Sequence, residues 1–281
     1  MKKILFPFDF SKASLNAFEY ALHFAKAVDA SIVTLHVYER NKSNYVDYYD
    51  QLNKNYTIGD WEQLETYKAI VPELNAITLS SGIGLREISH LLENGDPATV
   101  ICNAAEREKV DFIIMGTVGA HGLAEVFLGS VTEKVINDAP CDVLAIPVAY
   151  QYAEPLNLLY LTEYEDFAYR KLSDILGFAN LFKAHIDVLE IRSNDAPSYG
   201  QILDKWRKKF EGENVDFHVH IGLVADEVVT NFVDLAKTSM IVITAHRKSL
   251  LRRVFLYSLS QQLAFHTHVP VLALHEKKPH R

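Results

Sequence analysis

Residues 112–146 read FIIMGTVGAHGLAEVFLGSVTEKVINDAPCDVLAI, and residues 240–274, laid beneath them without a gap, read MIVITAHRKSLLRRVFLYSLSQQLAFHTHVPVLAL. Ile113, Leu123, Val126, Phe127, Leu128, Ser130, Val143, Leu144 and Ala145 meet identical residues in the second stretch. Each stretch opens on a short run that is apolar throughout, as in a strand buried on both faces, and closes on another. Between them the first stretch sets glycines at 116, 119, 122 and 129, with Ser130 directly after the last. The second keeps the apolar frame and loses the glycines.

Working outward, an offset of 154 instead of 128 lays ILFPFDFS over LLYLTEYE and ASIVTLHV over AHIDVLEI. The first copy therefore carries about 26 residues more, between its second strand and its later elements. In copy one KKILFPF, ASIVTLHV, LREISHLLE, DFIIMG and DVLAIPV read as strands. Leu15, Phe18, Leu22 and Ala25, then ATVICNAAEREK and VTEKVIND, read as helices. Copy two repeats the order with NLLYLT, a helix over 167–182, HIDVLEI, a helix around Trp206, DFHVHIG, ADEVVTNFVDLAK, MIVITA and PVLALH.

This alternation predicts an α/β protein of two tandem doubly wound, Rossmann-like domains, residues 1–149 and 154–281, each with a five-stranded, mostly parallel sheet. The expected strand order is 3-2-1-4-5. Strands one and four are then neighbours at the reversal of chain order, where open parallel sheets bind ligands beyond the strands' carboxyl ends. DVLAIP and PVLALH are short apolar edge strands, and they are expected to pair with each other as an internal pseudo-dimer.

In that order PFDFS faces GTVG across one crevice. Backbone N–H groups can approach a phosphate where side chains are missing, so Gly116 and Gly119 fit a phosphate-binding turn. Gly129 and Ser130, at a helix start, would offer N-terminal N–H groups and a hydroxyl to an anion. Ser130 has two candidate duties, as N-cap and as phosphate donor. Asp9 has two as well: to accept from a ligand hydroxyl or amino group or a metal-bound water at the crevice, or to cap the helix starting near Ser11. Phe127 and Leu128 recur in copy two and are assigned to packing.

Copy two serves as an internal control. Its signature positions read Thr244, Arg247 and Tyr257, with Ser258 retained, and Pro7 and Asp9 become Leu161 and Glu163. A tyrosine ring at 257 would stand where a helix start should meet phosphate, so this copy is not expected to hold a phosphate in the same way. Arg247, Lys248, Arg252 and Arg253 fit either an anion or partner-domain contact or a solvated loop. The extra segment, roughly residues 39–82, holds Tyr45, Tyr48, Tyr49, Tyr56, Trp61 and Tyr67. It reads either as a lid or partner surface near Val37, or as a helix whose aromatics pack on the sheet.

Composition narrows the partners. At 281 residues and 49% hydrophobic the chain has apolar material for one large or two ordinary globular domains, and a net charge of −8 gives no general basic surface for nucleic acid. Two cysteines, Cys102 and Cys141, suggest a reducing compartment, here read as the cytoplasm. MKKILFPFDFSK reads as a first strand because Pro7 and Asp9 interrupt its apolar run, and no apolar stretch reaches the roughly 20 residues of a membrane span. The patterns G-K-[ST], G-x-G-x-x-G, G-x-S-x-G and H-E-x-x-H are missing from the chain. His218 and His220 share a strand face and His266 and His268 a loop, but no carboxylate or cysteine stands at ligand spacing, so no metal site is read. No nucleophile and base can be paired, so no catalytic residue is assigned.

Gly116-x2-Gly119-x9-Gly129-Ser130, after the strand DFIIM and before VTEKVINDAPCDVLAI, resembles the nucleotide-binding signature of the universal stress protein family. ILFPFDFS and IVTLHV match that family's first two strands. The resemblance covers residues 1–148 and extends more weakly to 155–275. It implies an ATP-binding stress or signalling module, with Mg or Mn beside the nucleotide and dimerisation through the last strand. It further implies adenine and ribose near Pro7, Asp9 and the backbone of Val37. Phosphates would lie against Met115, Gly116, Gly119, Gly129, Ser130 and Val131. His121 stands where members often carry another polar or basic residue. Hydrolysis, if any, is expected to be slow. Two other readings remain: a non-nucleotide scaffold or small-molecule binder of the same fold, and an adenylate-forming or nucleotide-cleaving enzyme.

Overall fold

The computed structural model describes residues 2–39, 58–82, 88–117, 129–162, 166–192, 200–221, 225–245 and 268–275. Copy one runs β1 (Lys2–Pro7), α1 (Lys12–Val28), β2 (Ala30–Tyr38), α2 (Ile58–Ser80), β3 (Ile88–Asn94), α3 (Pro97–Glu108), β4 (Phe112–Gly116), α4 (Ser130–Asp138) and β5 (Asp142–Ile146). Copy two runs β6 (Asn157–Leu161), α5 (Asp166–Phe182), β7 (His185–Arg192), α6 (Gly200–Lys209), β8 (Val215–Ile221), α7 (Ala225–Leu235), β9 (Met240–Thr244) and β10 (Val271–Leu274).

The ten strands form one sheet in the order β3-β2-β1-β4-β5-β10-β9-β6-β7-β8. Each half is parallel in the expected 3-2-1-4-5 order, and the halves meet through an antiparallel pairing of β5 with β10. There Leu144 opposes Leu272, with Val143 opposite Ala273 and Ala145 opposite Val271. Since these residues are the 128-offset equivalents of one another, the pairing is symmetric about the two leucines. Two exposed apolar edges are thereby removed.

Period-two alternation along the strands sends successive residues to opposite faces, producing two cores. Ile4, Phe6, Ile114, Leu144, Leu158, Tyr160, Val242 and Leu272 belong to one. Leu5, Ile113, Met115, Val143, Leu159, Ile241 and Val271 belong to the other. Both cores run through both copies, which makes the two halves one packed body.

Local signals repeat as well. In α1, Ser11 caps the first turn by accepting from the Ser14 N–H, and Phe18, Ala21, Leu22 and Ala25 line its buried face. It stops at Asp29 in the left-handed region, φ 54°, and Lys183 ends α5 in the same way, φ 54°. Lys109 and Lys237, also 128 apart, end α3 and α7, each with φ 50°. The longest departure from the repeat is α2, with 23 residues against 10 in α6.

Among the described residues, no helix is long and apolar enough to cross a membrane. The cysteines are unbridged, and burial pushes the Cys102 thiol up to about 11 and the Cys141 thiol higher still.

Candidate functional site

The crevice opens where β1 and β4 end side by side. Ile4 pairs with Phe112 and Leu5 with Ile113, so Pro7 and Gly116 finish neighbouring strands. Chain order reverses between them, the position that open α/β sheets use for ligands.

On the β1 side, the Phe8 N–H still donates to Leu35 O at 2.8 Å, after which the chain turns away. Phe10 makes that turn with φ 64°, a region costly for a bulky side chain and characteristic of functional sites. Its ring lies 4.2 Å from the His36 ring and 6.3 Å from Tyr67. Asp9 Oδ1 accepts from the Ser11 N–H at 3.1 Å and from Ser11 Oγ at 2.6 Å. Ser11 itself is the N-cap of α1, so Asp9 braces the cap and leaves its carboxylate at the mouth of the crevice. His36 Nδ1 donates to Phe8 O at 2.7 Å and fixes the strand end from below. Burial pulls the His36 pKa below the usual histidine value. Residues two apart on a strand turn their main-chain groups the same way, so Val37 offers its N–H and C=O toward the space β1 vacates beyond Leu35.

On the β4 side, Gly116 is the last paired residue of the strand, opposite Ile146, with no positive φ. Of the two duties open to Ser130, the N-cap falls instead to Gly129, at φ −60° and ψ 147°, and no side chain caps the first turn. Gly129 therefore serves by lacking bulk, since any L residue could adopt that backbone. Its N–H donates to Thr117 O at 2.6 Å, tying the start of α4 to the residue after β4. Thr132 Oγ1 donates to Gly116 O at 3.1 Å, seating the start of α4 over the end of β4. Ser130 is exposed at the first helical position and Val131 is half-buried against the core. Met115 is buried beneath them. Lys134 Nζ reaches Asp96 Oδ2 at 2.9 Å, tying α4 to the cap of α3. Hydrogen bonds from Thr99 and then Lys134 hold Asp96 down to about 2.

Chemically this is an uncapped helix N-terminus on one wall and a carboxylate with exposed strand backbone on the other. It suits an anion joined to a polar, flat group. Gly119, His121, Phe127 and Leu128 lie outside the described residues, as do Glu163, Arg247, Lys248, Arg252, Arg253, Tyr257, Ser258, His266, Tyr45, Tyr48, Tyr49 and Tyr56. The described part of the extra segment is α2. Its Tyr67 is buried, with its hydroxyl 2.7 Å from Thr34 Oγ1, which also meets His90 Nδ1 at 2.7 Å. Of the two readings of that segment, Tyr67 takes the packing role.

Sequence reasoning missed Phe10, His36, Thr117 and Thr132. Only the histidine, near the end of a largely apolar strand, carried a signal. It also left His218 without a carboxylate, whereas Asp187 Oδ1, from the neighbouring strand, lies 2.7 Å from His218 Nε2.

The sequence profile of the universal stress protein family matches residues 1–147 and again 156–275. The chain belongs to the universal stress protein family, with two copies of its domain in tandem. It is 33% identical over 150 residues to a universal stress protein of Methanocaldococcus jannaschii, an alignment spanning 52% of this chain and 81% of that one. A universal stress protein of Thermus aquaticus is 32% identical over 146 residues, covering 52% of this chain and 98% of its own. The crystal structure of a universal stress protein from Archaeoglobus fulgidus superposes with a TM-score of 0.69 at 19% identity, covering 97% of this chain and 96% of that chain, a likeness of fold.

Proposed function

We propose that residues 1–149 bind ATP in the crevice between β1 and β4, and that residues 154–281 are a degenerate domain used for assembly. One observation carries the reading: α4 begins at a glycine, with no side-chain cap, directly above the end of β4. The amides of Ser130 and Val131 are then the groups a phosphate would meet, with the helix dipole favouring the negative charge. Gly116 keeps the approach clear, Met115 floors it, and the Ser130 hydroxyl adds a donor; by its place in the sequence pattern, Gly119 would belong to the same phosphate-binding set. Pro7, Asp9 and the Val37 main chain would take adenine and ribose.

A Mg or Mn ion, when bound, would neutralise phosphate charge. Its protein-side oxygen would come from Asp9, either directly or through water, because hard divalent ions keep several waters and take few carboxylates. Turnover is expected to be slow, since among the described residues none is placed to activate water. The role that fits is a cytoplasmic stress or signalling module. A homodimer would need a surface other than β5 and β10, which are consumed internally.

Calorimetric titration of the full chain with ATP and magnesium tests this. The expected result is one nucleotide per chain. Absence of binding both there and in equilibrium dialysis would leave the chain a scaffold of the same fold.

A further inference from the structure

The two outer strands of copy two carry mirrored patterns, His185-x-Asp187 on β7 and Asp216-x-His218 on β8. Parallel register places Asp187 opposite Asp216, and period two puts all four side chains on one face. They gather at the amino ends of these strands; because β5 and β10 run antiparallel, this is the rim of the ten-stranded sheet on which the carboxyl ends of β1 and β4 also lie, several strands away from the crevice described above. His185 Nε2 stands 3.5 Å from Asp187 Oδ1 and 3.5 Å from Asp216 Oδ2. One ligand atom from each of the three residues lies within 4.8 Å of the others.

The protonation of His185 follows from its neighbours. Asn214 Nδ2 donates to Ala184 O at 3.2 Å, which turns Asn214 Oδ1 toward His185 Nδ1 at 2.9 Å. Since Oδ1 only accepts, Nδ1 carries the proton and Nε2 faces the two carboxylates. Asp187 is fixed in turn: its side chain is 12% exposed and His218 Nε2 donates to its Oδ1 at 2.7 Å. An imidazole oriented through its far nitrogen and a carboxylate held by an outer hydrogen bond are the supports metal ligands characteristically have. Two ligands about 2.0–2.1 Å from a zinc ion at the tetrahedral angle stand about 3.3 Å apart. Both His185 separations approach that value.

The fold does not demand these residues. Strand register equates His185, Asp187, Asp216 and His218 with Ser31, Val33, Ser89 and Leu91 of copy one. Val33 there is buried in the apolar core. Replacing such a valine by a carboxylate is costly unless the charge is matched.

The geometry points to a divalent transition-metal site, specific for zinc-like tetrahedral ions, formed by His185 Nε2, Asp187 and Asp216, with His218 and Asn214 as its outer support. Asp216, whose side chain is 70% exposed, gives the ion its entry, and water completes the coordination. An imidazole ligand disfavours magnesium and calcium, which take oxygen.

The test is equilibrium dialysis of the full chain against zinc, with metal counted per chain, in wild type and in variants carrying the copy-one residues: His185→Ser, Asp187→Val and Asp216→Ser. Asp187→Val removes a buried charge and is expected to stay folded. Each variant should bind one ion fewer than wild type, and excess magnesium should leave the wild-type count unchanged. Cobalt should give the visible spectrum of a tetrahedral site, lost in the same variants. His218→Leu should weaken zinc by about 10–100-fold while keeping that spectrum. Equal zinc counts in wild type and all three variants would overturn the assignment, as would a wild-type chain that retains no zinc.

Discussion

The two halves of this chain share a frame and differ at both ends of their strands. In the N-terminal half the carboxyl ends of β1 and β4 meet a helix that begins on bare backbone. In the C-terminal half β9 ends at Thr244, and the residue equivalent to Gly129 is Tyr257. At the amino ends the difference reverses: copy one is hydroxylic and apolar where copy two sets His185, Asp187, Asp216 and His218. The lesson is that a doubly wound sheet tolerates loss of chemistry at either end of its strands, because its stability resides in the strand interiors common to both halves.

The sharpest way to break the comparison is to make copy one resemble copy two. Gly129→Tyr should leave a folded chain whose affinity for ATP falls at least about tenfold, because charged hydrogen bonds contribute about 1.5–3 kcal/mol each and at least one would be lost. Calorimetry beside a circular dichroism spectrum reads both parts. Unchanged affinity would remove the phosphate loop from the account.

Next comes the shared frame. Ile113 and Ile241 are equivalent and both fully buried. Ile113→Ala and Ile241→Ala should each cost about 2–5 kcal/mol by denaturant unfolding. A large disparity would show that only one half holds the sheet together.

A smaller effect belongs to the segment that copy two lacks. Tyr67→Phe removes one partner of Thr34, which keeps His90, and should cost about 1 kcal/mol in the same assay.

The smallest concerns pH. His36 and His90 are both held below the usual histidine value, by burial in each case, so the unfolded chain binds protons that the folded chain refuses. Stability should therefore decline as pH falls through the unfolded value of about 6.5 toward the lower folded values, and level off beneath them. The slope should shrink in His36→Asn, whose amide can still donate to Phe8 O. An unaltered slope would place the titration elsewhere.

Much of the fold was legible because it was written twice. The alternation of strands and helices, the offset repeat and the apolar ends DVLAI and VLAL together implied two doubly wound domains and the β5–β10 pairing, whereas the strand order 3-2-1-4-5 was an expectation of that class and not legible in the residues themselves. Of the site, the glycine loop was visible as composition, but its geometry was not. Ser130 is a better N-cap former than glycine by preference, yet the helix begins one residue earlier, and single-residue boundaries lie beyond pattern reading. The left-handed Phe10 carried no sequence signal, because tertiary packing against His36 and Tyr67 holds it there. The His185 cluster was hidden for another reason: its carboxylates come from adjacent strands, and only register brings Asp187 opposite Asp216. The mirrored H-x-D and D-x-H on consecutive strands was the available clue.

The central claim is that one of two equivalent crevices grips a triphosphate through main-chain amides. A crystal of the full chain grown with ATP and magnesium tests it most directly. The account predicts one nucleotide per chain, its phosphates within hydrogen-bond distance of the Ser130 and Val131 amides. Nucleotide seated only in the crevice beyond β6 and β9, or phosphates turned away from the start of α4, would contradict it.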